Sequence, residues 1–313
     1  MFIEDKMLHL FGGNMSAYGA DVVVGTDENN KPIIQARSVR NPVTPQIVRF
    51  HLEGSEGIGV YPMWFQNEKW WVKWGCCDID TGVWGEAYGL AVTLGAMGFT
   101  PFIERSRSKG WHIWVFSDGP VEARLMRRAL KVAYATIGLQ AREANPKAED
   151  LRPDQLGNFV RLPFKGALEG FTDRQVIMEQ WDETGDGLPV SVGTWFNNFT
   201  QASRTHPGTI QYWAEKWKEP KRKKIVDPQI SESQLRVMFR TMPDPLFQFI
   251  KDGPAGTGDR SEALVALAFK MKRAGYTPEE TYAAVKAADE RWGKYYLRPD
   301  ADVYLLDIVE RTL

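Results

Sequence analysis

Through most of the chain the apolar positions switch between a two-residue and a three-to-four-residue spacing, and from about residue 231 onward only the helical spacing remains. The first 48 residues give weak periodicity. Turn signals at Gly12-Gly13-Asn14 and Asp27-Glu28-Asn29-Asn30 bracket strands expected over 20–25 and 32–37. Residues 51–62 read as a turn and a short strand, and an Asn67-Glu68 turn leads into an apolar strand running from Trp71 to Asp80. Residues 86–97 predict a helix that Gly98 would cap. Strands over 100–106 and 111–116, joined by Arg107-Ser-Lys-Gly110, predict a β-hairpin, with a turn at Ser117-Asp-Gly-Pro120 after it. Val121, Leu125, Ala129, Val132 and Ala133 make one stripe of an amphipathic helix over 121–136. A further strand is expected over 139–143, then an acidic loop over 145–156 and an apolar run over 158–164.

Residues 184–230 are loop-rich, with a basic linker at Lys216-Trp-Lys-Glu-Pro-Lys-Arg-Lys-Lys224. Asp259-Arg-Ser-Glu262 and Thr277-Pro-Glu-Glu280 both have capping-box spacing, the second with Pro at the first helical position. The expected organisation is therefore a mixed α+β domain over 1–205, a basic linker over 206–230 and an all-helical domain over 231–313.

Polar residues interrupt this pattern at three places. The strand through Trp71 ends in Asp78-Ile-Asp80, and strict alternation puts Val72, Trp74, Cys76, Asp78 and Asp80 on one face. Two adjacent carboxylates at the end of a buried strand repel each other and lose hydration, and a divalent cation relieves both costs. A strand whose last polar residues cap a turn would look the same. In the hairpin, Ser106-Arg-Ser-Lys-Gly-Trp-His112 folds back so that Ser106 should approach His112. Ser106, Ser108, Lys109, an arginine and the backbone N–H groups around a glycine form a cradle for phosphate oxygens. A lone histidine on an apolar strand is otherwise a satisfied core residue. Third, Glu143 ends the stripe of Leu139 and Ala141, and Arg161 sits in an apolar run where a guanidinium must find a carboxylate or a phosphate. A solvated strand-end glutamate fits Glu143 equally.

A net charge of −1 excludes recruitment of nucleic acid by a global basic field, leaving local patches. The two cysteines, Cys76 and Cys77, are adjacent and offer neither a zinc pattern nor a disulfide framework. No apolar run reaches the ~18 residues of a membrane span and no signal-peptide pattern opens the chain, so it reads as cytoplasmic with no membrane partner. Twelve tryptophans are many, and they serve either as core or as stacking surfaces for single-stranded template; Trp71 and Trp74 read as core. Gly253-Pro-Ala-Gly-Thr-Gly258 is similar to a nucleoside-triphosphatase loop, but Asp259 stands where the phosphate-binding lysine belongs, so it reads as a glycine turn before a helix.

In order and spacing, these groups resemble the archaeo-eukaryotic primase superfamily, over residues 45–170. Asp78-Ile-Asp80 matches the family's D-x-D strand, and Ser106-Arg-Ser-Lys-Gly-Trp-His112 its serine-to-histidine hairpin. The form is similar to that in polymerase domains of bacterial end-joining ligases and in phage and mobile-element primases. Gly157-Asn-Phe-Val-Arg161-Leu-Pro-Phe164 resembles the final core strand of the mobile-element branch, and the stretch from His51 to Pro62 its upstream segment. Where relatives carry a third carboxylate in a glutamate-x-Phe-Pro-Lys run, this chain has Glu143-Ala-Asn-Pro-Lys147; Glu149, Asp150 and Asp154 compete with Glu143 for that place. Residues 254–293 resemble the small helical domain that follows the catalytic core of plasmid and phage primases.

The resemblance implies an RRM-like β-sheet flanked by helices, followed by a helical domain. It implies a DNA primase or primer-extending polymerase, a nucleotidyltransferase acting in replication on a single-stranded DNA template with deoxy- or ribonucleoside triphosphates. Asp78, Asp80 and Glu143 would hold two Mg²⁺ or Mn²⁺ ions, and Ser106, Ser108, Lys109, His112, Arg161 and Lys165 would grip the triphosphate. A helicase partner, separate or in a longer parent chain, stays open. Two rivals remain: a D-x-D glycosyltransferase, which leaves the hairpin without a role, and a non-catalytic DNA-binding replication initiator.

Overall fold

The computed structural model describes residues 1–26, 32–139, 141–170, 172–219, 230–253, 260–298 and 301–312. The chain divides into two compact units, Met1–Lys218 and Glu219–Leu313. The first mixes helices with antiparallel strands, and the described secondary structure of the second is helical, as the α+β expectation requires.

The first unit opens on α1 (Ile3–Phe11) and a long hairpin of β1 (Asn14–Thr26) and β2 (Pro32–Val39). α2 (Pro45–Leu52) starts where the Thr44 hydroxyl accepts the Ile47 N–H and Pro45 occupies the first turn. β3 (Ile58–Tyr61) follows, then β4 (Trp64–Gln66) and β5 (Lys69–Ile79). Asn67 and Glu68 join the last two with φ of 51° and 60°, the left-handed pair that a tight two-residue hairpin demands. α3 (Trp84–Ala96) ends just before Gly98, at φ 83°. Next come β6 (Pro101–Arg105), β7 (Trp111–Glu122), α4 (Ala123–Thr136), β8 (Ala144–Asn145) and β9 (Val160–Arg161). β10 (Val176–Glu179), β11 (Leu188–Pro189), α5 (Val192–Asn198) and α6 (Pro207–Lys216) complete the unit.

These strands form two sheets. One has the order β2-β1-β3-β9; the other runs β11-β10-β6-β7-β5-β4, with β8 also paired to β5. The larger sheet is covered on both faces. Val72, Cys77, Ile79, Ile113 and Val115 face a core completed by Leu90 and Leu94 of α3, Met126 and Leu130 of α4, and Ile210 of α6. Trp74, Cys76, Trp114 and Phe116 face the other way, into a core shared with Ala20, Ile58 and Val160 of the smaller sheet, Phe11 of α1, Leu52 of α2 and Trp195 of α5. Aromatic rings dominate this second core: Trp74 and Trp114 lie 5.0 Å apart, and Phe11 meets Trp114 edge-on at 5.0 Å.

The structure corrects the sequence reading at several points. Strict alternation along β5 fails between Val72 and Trp74, where the register with β7 shifts, so Val72 joins the core opposite to that of Trp74 and Cys76. The turn expected at 117–120 is a bulge within β7, opposite Lys73: Phe116 pairs with Trp74 and Val121 with Val72. Instead of a strand over 139–143 there is a 3₁₀ turn, Ala141–Glu143, followed by the short β8. α1 and α2 were not foreseen. Residues 207–216, expected in the linker, form α6, whose Ile210 and Ala214 are buried in the first unit's core.

Among its described residues the second unit contains α7 (Glu232–Thr241), α8 (Asp244–Asp252), α9 (Arg260–Arg273), α10 (Pro278–Trp292) and α11 (Ala301–Glu310). Thr277 and Glu280 form the expected capping box at the start of α10, each accepting the other's backbone N–H. Leu264, Leu267 and Met271 of α9 pack with Val285 and Ala288 of α10 and Ile308 and Val309 of α11. The 27–30 turn, residues 220–229 of the basic linker, the 253–258 glycine turn beyond Gly253, and Asp259 lie outside the described residues. Among the described residues, no helix is long and apolar enough to cross a membrane.

Candidate functional site

The end of β5 is held from both sides. Cys76 and Cys77 pair with Asn145 and Ala144 of β8, while Asp78 stands directly opposite His112 of β7. Gly110 makes the hairpin's return possible: a Cβ there would lie 2.2 Å from the Ile79 carbonyl oxygen, a backbone atom that cannot yield. Only glycine lets β7 start so close to the end of β5.

Asp78 continues the face of Trp74 and Cys76, so its carboxylate emerges beside the aromatic core rather than in open water. Its side chain is 24% exposed, and Oδ1 has no hydrogen-bond partner. His112 Nε2 lies 3.7 Å from that oxygen, an ion-pair distance rather than a hydrogen bond. Burial pushes the Asp78 carboxyl up to about 6; His112 opposes the shift, and the charges of Asp80 and Glu143 add to it. Asp80 lies just past the strand, exposed.

The cross-strand partner of His112 on β6 is Glu104, not Ser106. Ser106 sits two residues further out, at the level of Gly110, donating its N–H to the Gly110 carbonyl at 3.0 Å, with its side chain buried. Glu104 is fully buried. Its Oε2 accepts from His112 Nδ1 at 2.8 Å and from Trp114 Nε1 at 2.6 Å, and its Oε1 has no partner. Burial alone would push the His112 imidazole down. The Glu104 charge and hydrogen bond, with Asp78 and Asp80, instead raise it to about 9. Ser108 and Lys109 are exposed at the hairpin tip.

A second acid, Asp21 of β1, gathers the cations. The Arg161 guanidinium straddles it, Nη2 at 2.8 Å and Nε at 3.2 Å from Oδ1, and Arg107 of the hairpin loop reaches its other oxygen at 3.0 Å. The Asp21 side chain is only 5% exposed. Burial would raise its carboxyl, but Arg161, Arg107 and Lys165 hold it below the usual range. Arg161 thus has the carboxylate its apolar setting required, and with Arg107 and Lys165 it gives the locality an excess of positive charge.

Glu143, at the end of the 3₁₀ turn, is paired with Lys147. Of its competitors, Glu149 is bound by the Arg128 guanidinium at 2.7 Å, while Asp150 and Asp154 are exposed. Glu143's charge bears on Asp78. Among the described residues no group of three or more His, Cys, Asp or Glu side chains is drawn together as a closed metal site. The donor chemistry nevertheless suits a hard divalent cation: carboxylate oxygens, one of them buried and unpartnered on Asp78.

Glu104 and Asp21 were missed in the sequence. Each is an acid inside an apolar strand (Phe102-Ile103-Glu104 and Gly19-Ala20-Asp21-Val22), the same feature that drew attention to Arg161. Glu104 also falls opposite His112 once the hairpin is closed at Gly110.

A strand-end aspartate facing a histidine from the neighbouring strand, with a serine- and lysine-bearing loop between, belongs to a fold class with known relatives. The chain is a member of the archaeo-eukaryotic primase superfamily. Residues 25–183, just over half of it, match the family described as the archaeo-eukaryotic primase domain of TOTE conflict systems. No curated protein matches the chain. Among solved structures, a crystal structure of primase RepB′ aligns over 99% of this chain and 93% of that one, at 16% identity and a TM-score of 0.31.

Proposed function

We propose that this chain is a template-dependent nucleotidyltransferase that joins nucleoside triphosphates on single-stranded DNA, as a primase or a primer-extending polymerase. The observation that carries the reading is the direct opposition of Asp78 and His112, with an unpartnered Asp78 oxygen between them, in a chain of this superfamily.

Asp78, Asp80 and Glu143 are the residues that would hold Mg²⁺ or Mn²⁺. When bound, such ions neutralise the triphosphate and lower the pKa of an attacking 3′-hydroxyl. Glu143 would have to exchange Lys147 for the ion. The remaining work is positioning and charge neutralisation. His112 points Nε2 at the unpartnered oxygen of Asp78, and Ser106, Ser108 and Lys109 stand along the hairpin loop where phosphate oxygens would lodge. Arg161 and Lys165 complete the clamp, with Asp21 holding the Arg161 fork in place until the more highly charged triphosphate competes for it. In this reading the helical unit and the basic linker serve template binding.

Single-stranded template, Mg²⁺ or Mn²⁺, and each nucleotide set, with and without a primer, test the proposal. Template-dependent product that disappears in the Asp78→Ala, Asp80→Ala double variant is expected. Template binding indifferent to metal, with no incorporation from any nucleotide set, would favour the non-catalytic initiator; transfer from sugar nucleotides would favour the glycosyltransferase.

A further inference from the structure

His112 has two ring nitrogens in two different situations. Nδ1 is 2.8 Å from Glu104 Oε2, whereas Nε2 faces an Asp78 oxygen at 3.7 Å with no hydrogen bond between them. A carboxylate beside Nδ1 demands a proton there, which fixes the ring's orientation and leaves Nε2 as the atom on offer. Glu104 is itself immobilised. It is fully buried, and the same Oε2 receives the Trp114 indole N–H at 2.6 Å, from a ring locked between Trp74 and Phe11.

We infer that Glu104 is a positioning residue that acts through His112, holding the imidazole so that Nε2 meets an oxygen of the bound triphosphate. The inference rests on the proposed reading of the site and adds the group that prepares the histidine. Glu104 does not touch the nucleotide. A buried carboxylate with one orphaned oxygen is costly to keep, and Trp114 alone would be served as well by a neutral acceptor. The charge is explained by the partner that needs it, His112.

The test is a cycle of Glu104→Gln, His112→Asn and the double variant, read by triphosphate binding in the presence of Mg²⁺ and by extension kinetics. Gln keeps size and an acceptor but loses the charge. Glu104→Gln should weaken triphosphate binding about 10- to 100-fold, the loss seen when the group orienting a metal-ligating histidine is removed. The double variant should be no worse than His112→Asn alone, because the two act as one. The loss should fall on KM more than on kcat. Losses that add in the double variant, or Glu104→Gln binding like wild type, overturn the inference while leaving the nucleotidyltransferase reading intact. A wild-type protein that takes up no triphosphate overturns both. Should Glu104→Gln fail to fold, the wild-type ¹⁵N spectrum decides: a proton on Nδ1 of His112, with Nε2 shifting when triphosphate is added, is expected, and an unprotonated Nδ1 contradicts the inference.

Discussion

His51 and His112 are both buried in the first unit, each flanked by apolar neighbours in sequence, yet their surroundings are opposite. His51 Nδ1 accepts the Ile58 N–H at 3.1 Å, which leaves Nε2–H to donate to the Pro163 carbonyl at 2.9 Å. Both nitrogens are committed to backbone, and the ring ties α2 to β3 and to the chain after β9. Burial, aided by Lys165, drives its pKa down to about 4. His112 has one nitrogen committed to a carboxylate and the other facing an oxygen with no partner. A histidine that staples the fold has both nitrogens satisfied; one that serves a ligand is satisfied on one side only.

The sharpest way to break this contrast is at Asp78. Asp78→Asn should lower incorporation on the order of 10²- to 10³-fold, the scale of losing a preorganised charge contact in the transition state. Its melting temperature should not fall, because a buried charge repelled by Asp80 and Glu143 has been removed. Retained incorporation, or a large drop in melting temperature, would make Asp78 a structural group like His51.

The Asp21 cluster comes next. Arg161→Ala leaves a nearly buried carboxylate without its fork and should cost about 3 kcal/mol, read from urea unfolding at pH 7. Because the folded Asp21 carboxyl is held below its ordinary value, the cluster's stabilisation is complete above about pH 4 and is lost as pH falls through the lower folded value. The acid limb of unfolding should therefore move to higher pH in Arg161→Ala, and an unmoved limb would show that the pair contributes nothing.

At neutral pH the smallest effect belongs to His51. Its folded pKa lies below the unfolded value near 6.5, so the unfolded chain takes up the proton first and stability falls as pH drops from 6.5 toward 4. The full loss is at most about 3 kcal/mol. NMR titration should find the His51 ring neutral down to near pH 4, and a midpoint near 6.5 would contradict the assignment as a backbone staple.

Much of this was legible in the sequence where local chemistry dictates local shape. The Asn67-Glu68 turn, the Gly110 return, the helix stopped at Gly98 and the Thr277 cap all follow from short-range rules, whereas the pairing that sets Asp78 opposite His112 joins β5 to β7 past α3 and β6. The rest depended on long-range pairing. The shift at Val72 exists because β7 bulges opposite Lys73, which nothing within β5 announces. Asp21 meets Arg161 across 140 residues of chain. α2 did carry its own signals, Thr44 and Pro45, but its eight residues are too few to establish a periodicity.

The central claim is that Asp78 and Asp80 bring a divalent cation and its triphosphate against His112. Paramagnetic broadening by Mn²⁺ tests it most directly, with the His112 ring resonances observed as Mn²⁺ and a nucleoside triphosphate are titrated into wild type and Asp78→Asn. Broadening in wild type that the substitution abolishes is the predicted result. His112 signals that stay sharp in wild type, or broaden equally in both proteins, would contradict it.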